Sequence, residues 1–165
     1  MMPADFTFTS VSPEQTSSLA EALASLLKGG EILFFKGPIG AGKTVMVKAV
    51  AKYFGFKKQP ASASFSLMKK YKNKNITLYH ADLFRLDSGE MFNLGFEEML
   101  EDETGVLLIE WPGAAESFFP KDRLEIEVIL KSGNERDIKF GAGGRVSRAL
   151  LDNLCKLTEK KKIYL

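Results

Sequence analysis

The chain has 165 residues, of which 45% are hydrophobic and 27% charged, and this composition predicts a single globular domain over residues 1–165 with a hydrophobic core. Its formal net charge of +2 argues against nucleic-acid binding through bulk charge. The one cysteine, Cys155, leaves no internal disulfide and no thiolate metal cluster. Since the sequence shows neither the plan of a signal peptide nor an apolar run of roughly eighteen residues, we expect a cytoplasmic protein without membrane contact.

The chain begins with a predicted strand and a predicted amphipathic helix. Alternation over Phe6–Thr9 indicates the strand. Ser12, Pro13 and Gln15 suit the N-cap, the first helical position and the capping-box position of the helix. Its apolar face is expected to consist of four leucines: Leu19, Leu23, Leu26 and Leu27. We expect this helix to end at residues 28–30, where two glycines follow a lysine.

A phosphate-binding motif follows the first helix. Residues 31–36 form a short apolar run typical of a buried parallel strand, and residues 45–54 read as a helix that ends at Gly55. The eight residues between them fit the pattern G-x-x-x-x-G-K-[ST] at every fixed position: Gly37, Pro38, Ile39, Gly40, Ala41, Gly42, Lys43 and Thr44. The motif therefore lies on strand, loop and helix in the required order.

The residue types of this loop suit a nucleotide. Its glycines allow positive φ, so that successive N–H groups point at an anion, and the helix that opens at Lys43 adds the unpaired N–H groups of its first turn, which includes Val45. Lys43 is expected to reach the β- and γ-phosphates, and the Thr44 hydroxyl is expected to ligate Mg²⁺.

A hydroxyl-rich segment, Ser62–Ser66, follows the loop helix after a break at Gln59 and Pro60. We interpret it as a candidate nucleotide-sensing loop, in which Ser64 or Ser66 reaches the metal or the γ-phosphate. The alternative is a serine-rich turn that leads into a strand over residues 67–71.

Two acids stand at the ends of further predicted strands. Asp82 follows the strand at residues 76–81, and ligands of open α/β sheets bind outside the carboxyl ends of strands, so Asp82 is a candidate for orienting the attacking water or a magnesium-bound water. His80 lies two residues earlier on the same side of the strand. It is either a catalyst or a packed, hydrogen-bonded side chain. Glu110 closes the aliphatic run at residues 105–109 and is predicted to hold Mg²⁺. Three roles remain possible for Trp111: packing in the core, contact with the nucleotide, or part of a surface that binds a partner.

The remaining pattern predicts sheet and helix. Residues 124–130 and 136–140 alternate around a turn and indicate an antiparallel hairpin that extends the sheet. A last helix from Arg145 is expected to carry four residues on its apolar face: Val146, Leu150, Leu154 and Leu157. The predicted fold is α/β and P-loop NTPase-like, with a largely parallel central sheet flanked by helices and a C-terminal antiparallel hairpin.

Five segments together resemble the bacterial TsaE (YjeE) family, in order and spacing over roughly residues 14–130. They are the glycine motif at 37–44, Ser62–Leu67, Leu78–Leu86, Leu94–Glu98 and Leu108–Pro112. The resemblance implies an ATPase that uses ATP or ADP and Mg²⁺ and supports threonylcarbamoyladenosine formation in tRNA by acting on the TsaB–TsaD complex, through which it meets tRNA indirectly.

The resemblance also assigns roles to residues. It implies that Lys43 holds phosphate, that Thr44 and Glu110 hold Mg²⁺, and that Asp82 is essential for turnover. The segments at 62–67 and 80–85 are implied to be switches. Ala63 replaces the proline of the family's serine-proline-threonine-phenylalanine-threonine string, which is expected to loosen that loop.

Two other functions remain open from the residues alone: a small-molecule or nucleotide kinase, and a nucleotide-dependent interaction module with negligible turnover. No arginine-rich lid segment lies between Glu110 and the C-terminal hairpin, which disfavours a kinase. Arg85 is the one arginine that the sequence places near the site, so an isolated enzyme is expected to be slow and to depend on a partner.

Overall fold

Seven strands of the described residues form one mixed sheet. The computed structural model describes residues 5–57, 68–84 and 95–161. The strands are β1 (Phe6–Ser10), β2 (Ile32–Lys36), β3 (Met68–Lys72), β4 (Thr77–Asp82), β5 (Gly105–Glu110), β6 (Leu124–Leu130) and β7 (Arg136–Ala142). Their order across the sheet is β1-β7-β6-β2-β5-β4-β3. The four central strands β6, β2, β5 and β4 are parallel, and the outer pairs are antiparallel.

Helices cover both faces of this sheet. They are α1 (Pro13–Ala24), α2 (Lys43–Tyr53), α3 (Phe96–Glu101) and α4 (Arg145–Lys161), with a 3-10 helix at Gly113–Phe118. One core lies between the sheet and α1, α2 and α4, and the other lies between the sheet, α3 and the 3-10 helix. None of the described helices is long and apolar enough to cross a bilayer.

Parallel pairing in the centre of the sheet sets the position of the site. Asp82 at the end of β4 is in register with Glu110 at the end of β5, and Glu110 is in register with Phe35 near the end of β2. The carboxyl ends of these strands therefore meet at one edge. The predicted α/β class, the parallel centre and the antiparallel β6–β7 hairpin are confirmed.

The predicted hairpin joins the sheet through a parallel strand pair, which the sequence pattern did not specify. Its first strand, β6, pairs in parallel with β2, and only β7 and β1 extend the sheet in antiparallel fashion. The chain between β5 and β6 contains the 3-10 helix. This connection leads from the carboxyl end of β5 back to the amino end of β6. This crossover makes β6 parallel to β2, and the spacing of apolar residues does not report it.

Two helix details also differ. The first helix ends at Ala24 rather than near Lys28, because Leu26 and Leu27 donate their N–H groups to carbonyls three residues back and the last turn tightens. On α4, Val146 is 54% exposed, whereas Leu150, Leu151 and Leu154 face the core. The buried stripe of α4 therefore starts at Ser147 and does not include Val146.

The amino end of α4 is capped by a side chain from outside the helix. Asp122 accepts the N–H groups of Val146 at 2.9 Å and Ser147 at 2.8 Å. Gly144, which precedes the helix, has no side chain with which to cap it, and a Cβ there would overlap the Asp122 carboxylate. Burial acts to raise the pKa of Asp122, but the hydrogen bonds from Ser147 and Val146 outweigh it and leave this pKa below its ordinary value.

We expect Asp122→Ala to lower the free energy of unfolding by about 1 kcal/mol at neutral pH, which is the usual cost of losing a helix cap. Because the folded-state pKa lies below that of the unfolded chain, this contribution is complete above about pH 4 and is lost as the pH falls through the folded-state value. Urea unfolding between neutral and acidic pH measures it. The exposed residue Asp152 on α4 provides the control Asp152→Ala, and an equal loss in both variants would contradict the capping role.

Candidate functional site

The glycine loop, Gly37–Thr44, connects β2 to α2 at the carboxyl edge of the sheet. Gly37 has φ of 126°, and a Cβ at this position would overlap the carbonyl oxygen of Val128 in β6. Gly42 has φ of 107° and stands at the N-cap of α2. A larger residue would strain the backbone at both positions. Between them Pro38, Ile39 and Gly40 are exposed to solvent.

The remaining loop residues lie closer to the protein. Ala41 is fully buried and packs into the core under α2. Val45, in the first turn of α2, is half-buried. The loop therefore presents an exposed backbone on one side while its last residues are held by the helix.

Lys43 is enclosed in the loop. Its Nζ donates to the carbonyl oxygens of Gly37 and Pro38, both at 2.8 Å, and lies 3.8 Å from the centroid of the Trp111 ring. Burial lowers the pKa of Lys43, and the negative charges of Glu110 and Asp82 offset part of that shift. The ammonium is thus near both acids and is held by neutral groups, which a phosphate would outcompete electrostatically.

Glu110 is the centre of a buried hydrogen-bond network. Its carboxylate, 2% exposed, accepts the Thr44 hydroxyl at 2.9 Å on Oε2 and lies 2.9 Å from His80 Nε2 on Oε1. His80 is fully buried. Of its two predicted roles, the structure shows the packed, hydrogen-bonded one, and the bond is to a predicted metal ligand.

The pair Thr44 and Glu110 fits Mg²⁺. A hydroxyl and a carboxylate are oxygen ligands of the kind that this ion takes, and neighbouring corners of an Mg²⁺ octahedron lie about 2.9 Å apart. The Thr44 Oγ1 to Glu110 Oε2 distance of 2.9 Å matches that edge. The described residues hold no cluster of three acidic, histidine or cysteine side chains, so phosphate oxygens and water would complete the coordination.

Asp82 lies at the end of β4, beside Glu110. One of its carboxylate oxygens accepts the N–H of Phe84 at 3.2 Å, and the side chain remains partly exposed. Leu83 donates its N–H to the carbonyl oxygen of Glu110 at 3.0 Å, which ties the ends of the two strands together. The structure therefore brings Lys43, Thr44, Asp82 and Glu110 to one place, as predicted.

Trp111 forms a wall of this site. It has φ of 55°, which is unusual for a bulky residue, and its ring lies 4.8 Å from that of Phe84. It also borders a cavity of about 390 Å³ beside the loop. The cavity is lined by Lys36, Gly37, Leu83, Phe84, Trp111, Pro112, Gly113 and Glu116. Its contact with Lys43 places Trp111 beside the glycine loop, and its predicted contact with a nucleotide stays a prediction.

Three predicted features lie outside the described residues. They are the hydroxyl-rich segment with Ser64 and Ser66, the residue Ala63 within it, and Arg85. Their predicted roles stay predictions.

Comparison with known proteins identifies the family. The family model described as threonylcarbamoyl adenosine biosynthesis protein TsaE matches residues 10–138. The chain belongs to the TsaE family. The TsaE protein of Bacillus subtilis is 34% identical over 146 residues, which cover 88% of this chain and 91% of that protein. The TsaE protein of Rickettsia conorii is 38% identical over 127 residues, or 76% of this chain and 71% of that protein.

A solved structure agrees with the TsaE assignment. The crystal structure of Bacillus subtilis YdiB superposes with a TM-score of 0.78 at 29% sequence identity, and the match covers 94% of this chain and 97% of that one. The sequence resemblance to the TsaE family is thus confirmed, and the likeness extends across almost all of the chain.

Sequence reasoning missed one charged residue beside the glycine loop of this TsaE-family chain. Arg136, at the start of β7, is 8% exposed and lies next to Gly42. Alternation along β7 places it on the same face as the buried residues Ile138 and Phe140. A charged residue at a core-facing strand position is rare without a partner. The sequence already showed such a residue, because the alternation along residues 136–140 puts an arginine on the apolar face.

The network predicts the tautomer of His80, the chain's only histidine. A carboxylate only accepts hydrogen bonds, so Nε2 carries the proton, while the described residues offer Nδ1 no partner. We expect ¹⁵N NMR of labelled histidine to show that the neutral ring carries its proton on Nε2. The urea-unfolded chain, with its mixture of tautomers, is the control. An unprotonated Nε2 in the folded protein would contradict the bond to Glu110.

Proposed function

We propose that this chain is a P-loop ATPase that binds Mg²⁺ with ATP or ADP and supports threonylcarbamoyladenosine formation in tRNA through the TsaB–TsaD complex. The observation that carries the proposal is the meeting of Lys43, the Thr44–Glu110 pair and Asp82 at the mouth of the glycine loop. The tRNA role rests on membership of the TsaE family. The proposed role in tRNA modification agrees with a cytoplasmic location.

The loop and its helix support the proposed nucleotide binding. The positive φ of Gly37, Gly40 and Gly42 suits a loop whose N–H groups converge on phosphate, and α2 points its amino end at the same place. Lys43 would exchange its two carbonyl contacts for phosphate oxygens, which are charged acceptors. Val45 lies in the first turn, where the N–H groups have no partner within the helix.

Thr44 and Glu110 would hold Mg²⁺, which when bound neutralises charge on the β- and γ-phosphates. The Thr44 hydroxyl donates to the Glu110 carboxylate in the free protein, so both oxygens already lie side by side. His80 keeps its bond to Oε1 and so leaves Oε2 on the Thr44 side.

Asp82 would orient the water that attacks the γ-phosphate. Its carboxylate is partly exposed at the strand end next to Glu110, so water has access to it. In the proposed reaction the oxygen of this water bonds to the γ-phosphorus while the bond from the γ-phosphorus to the ADP oxygen breaks, and a proton of the water passes to the Asp82 carboxylate and from there to solvent. Turnover without partners is expected to be slow, because Lys43 is the one described cation that the site directs at the γ-phosphate.

A small-molecule kinase is the second candidate, since the cavity bordered by Phe84 and Trp111 adjoins the loop and is large enough for a small acceptor. Phosphate transfer from labelled ATP to an added acceptor, instead of to water, would favour it. An interaction module with negligible turnover would bind nucleotide but release no phosphate even with partners present.

We expect Lys43→Ala to weaken ATP binding at least about tenfold, because it removes a charge-assisted contact to phosphate. Thr44→Ala should lose the part of the affinity that Mg²⁺ adds and keep the affinity measured with EDTA. Titration calorimetry measures both, and circular dichroism checks the fold. Lys48→Ala, at an exposed position of the same helix, is the matched control. Wild-type hydrolysis by Lys43→Ala would refute the assignment.

We expect Asp82→Asn to bind nucleotide normally and to lose turnover by about 10²- to 10⁴-fold, the usual range for removing a group that handles the proton of the attacking water. The measurement is single-turnover ATP hydrolysis with and without the TsaB–TsaD complex, together with tRNA modification in the reconstituted system. Asp152→Asn, on the exposed side of α4, serves as the control. A wild-type enzyme that is fast alone and indifferent to the complex would instead indicate an autonomous ATPase or kinase.

A further inference from the structure

The fold directs one buried arginine at the glycine loop. Arg136 is the first residue of β7, and its backbone lies opposite Ser10 of β1 and Leu130 of β6. Its side chain shares a sheet face with Ile138 and Phe140, which belong to the core under α1, α2 and α4. Arg136 thus extends from the carboxyl edge of β6 toward the helix that follows the loop.

The guanidinium of Arg136 touches the last glycine of that loop. A Cβ built on Gly42 would lie 3.0 Å from Arg136 Nη1, and Gly42 is the N-cap of α2. The absence of a side chain at Gly42 is therefore what lets the arginine approach the amino end of the helix. Two positive features, the helix end and the guanidinium, meet at this point.

No anion balances this cation among the described residues. Arg136 is 8% exposed, and within residues 5–57, 68–84 and 95–161 its Nε has no hydrogen-bond partner and its guanidinium forms no ion pair. Arg123, equally buried at 8% exposure, shows the usual arrangement: it donates to Glu125, Glu116 and the Pro120 carbonyl. A buried charge without a partner is costly, so the free protein holds Arg136 in a state that an arriving anion would stabilise.

We propose that Arg136 binds the phosphates that ADP and ATP share, as a second cation of the nucleotide site. This inference rests on the proposed nucleotide binding. The sheet order decides which phosphates it meets: Asp82 and Glu110 lie on β4 and β5 on one side of β2, and Arg136 lies on β7 on the other side. The γ-phosphate belongs on the side of Asp82 and Glu110, so Arg136 reaches the α- or β-phosphate.

Arginine suits this position. Its planar fork donates two parallel hydrogen bonds to a phosphate, and a guanidinium is less strongly hydrated than an ammonium. Since the protein has already removed most of the water from Arg136, phosphate binding adds charge pairing without a large new desolvation cost on the protein side. Lys43 and Arg136 would thus act on different phosphates of one nucleotide.

The test compares Arg136→Met with Arg148→Met. Methionine keeps much of the volume of arginine and removes the charge. Arg148 is a surface residue that pairs with Asp5 at 2.9 Å at the opposite edge of the sheet, so its variant carries the same change in net charge. Calorimetric titration with ADP and with ATP, each with Mg²⁺ and with EDTA, gives the affinities, and thermal unfolding without nucleotide gives the stability.

We expect Arg136→Met to weaken ADP and ATP binding by the same factor, about 10- to 100-fold, with and without Mg²⁺. Without nucleotide its Tm should equal or exceed that of the wild type, because an uncompensated buried charge is gone. Arg136→Lys should bind with intermediate affinity, since it keeps the charge and loses the fork. Arg148→Met should bind like the wild type.

Four results would overturn the inference. Wild-type affinity of Arg136→Met, with the wild type binding nucleotide, would refute it and leave the proposed function standing. A loss confined to ATP would assign Arg136 to the γ-phosphate instead. A variant that unfolds, or whose Tm falls well below that of the wild type, would show a structural arginine. Failure of the wild type itself to bind ADP or ATP would refute the proposed function as well.

Discussion

The buried carboxylate of Glu110 is the group on which the geometry of the site depends. It stays almost fully enclosed because the Thr44 hydroxyl and the His80 imidazole both lie at hydrogen-bonding distance. Without those donors a charge in that position would be strongly disfavoured. The three residues belong to α2, β4 and β5, so the network also holds the glycine-loop helix against the ends of two parallel strands.

Charge is distributed unevenly around the glycine loop. On the side of β4 and β5, Lys43 is held by two carbonyls and the ring of Trp111, with Glu110 and Asp82 close enough to affect its pKa. On the side of β7, Arg136 has no anionic partner among the described residues. The carboxylates lie on the side where a metal and a reacting phosphate are expected, and the unbalanced cation lies where unreactive phosphates would bind.

The backbone of Trp111 is strained, and the residue's place in the site accounts for this strain. A tryptophan with φ of 55° is strained, and such residues persist where the surrounding structure holds them. Here the backbone N–H of Trp111 donates to the carbonyl oxygen of Phe35 at 3.1 Å, and the ring lies against Lys43 and Phe84. The strained turn at the end of β5 therefore places an aromatic face beside the loop lysine.

The sequence by itself determined which residues form the candidate site and which strands, loop and helix carry them. The glycine motif required strand, loop and helix in order, and aliphatic runs that end in Asp82 and Glu110 indicated buried strands with acids at their carboxyl ends. These conclusions follow from short-range constraints, namely the backbone freedom of glycine and the periodicity of strands. The family resemblance came from the same segments, and the comparisons confirmed it.

Only the tertiary structure decided which distant residues meet. The parallel pairing of β6 with β2, the capping of α4 by Asp122, the His80 contact with Glu110 and the approach of Arg136 to Gly42 each join segments far apart in the chain. Periodicity shows which face of a strand is buried, but strand order and crossovers decide what that face touches. Arg136 illustrates the limit: alternation placed it on a buried face, and only the sheet order placed that face beside the glycine loop.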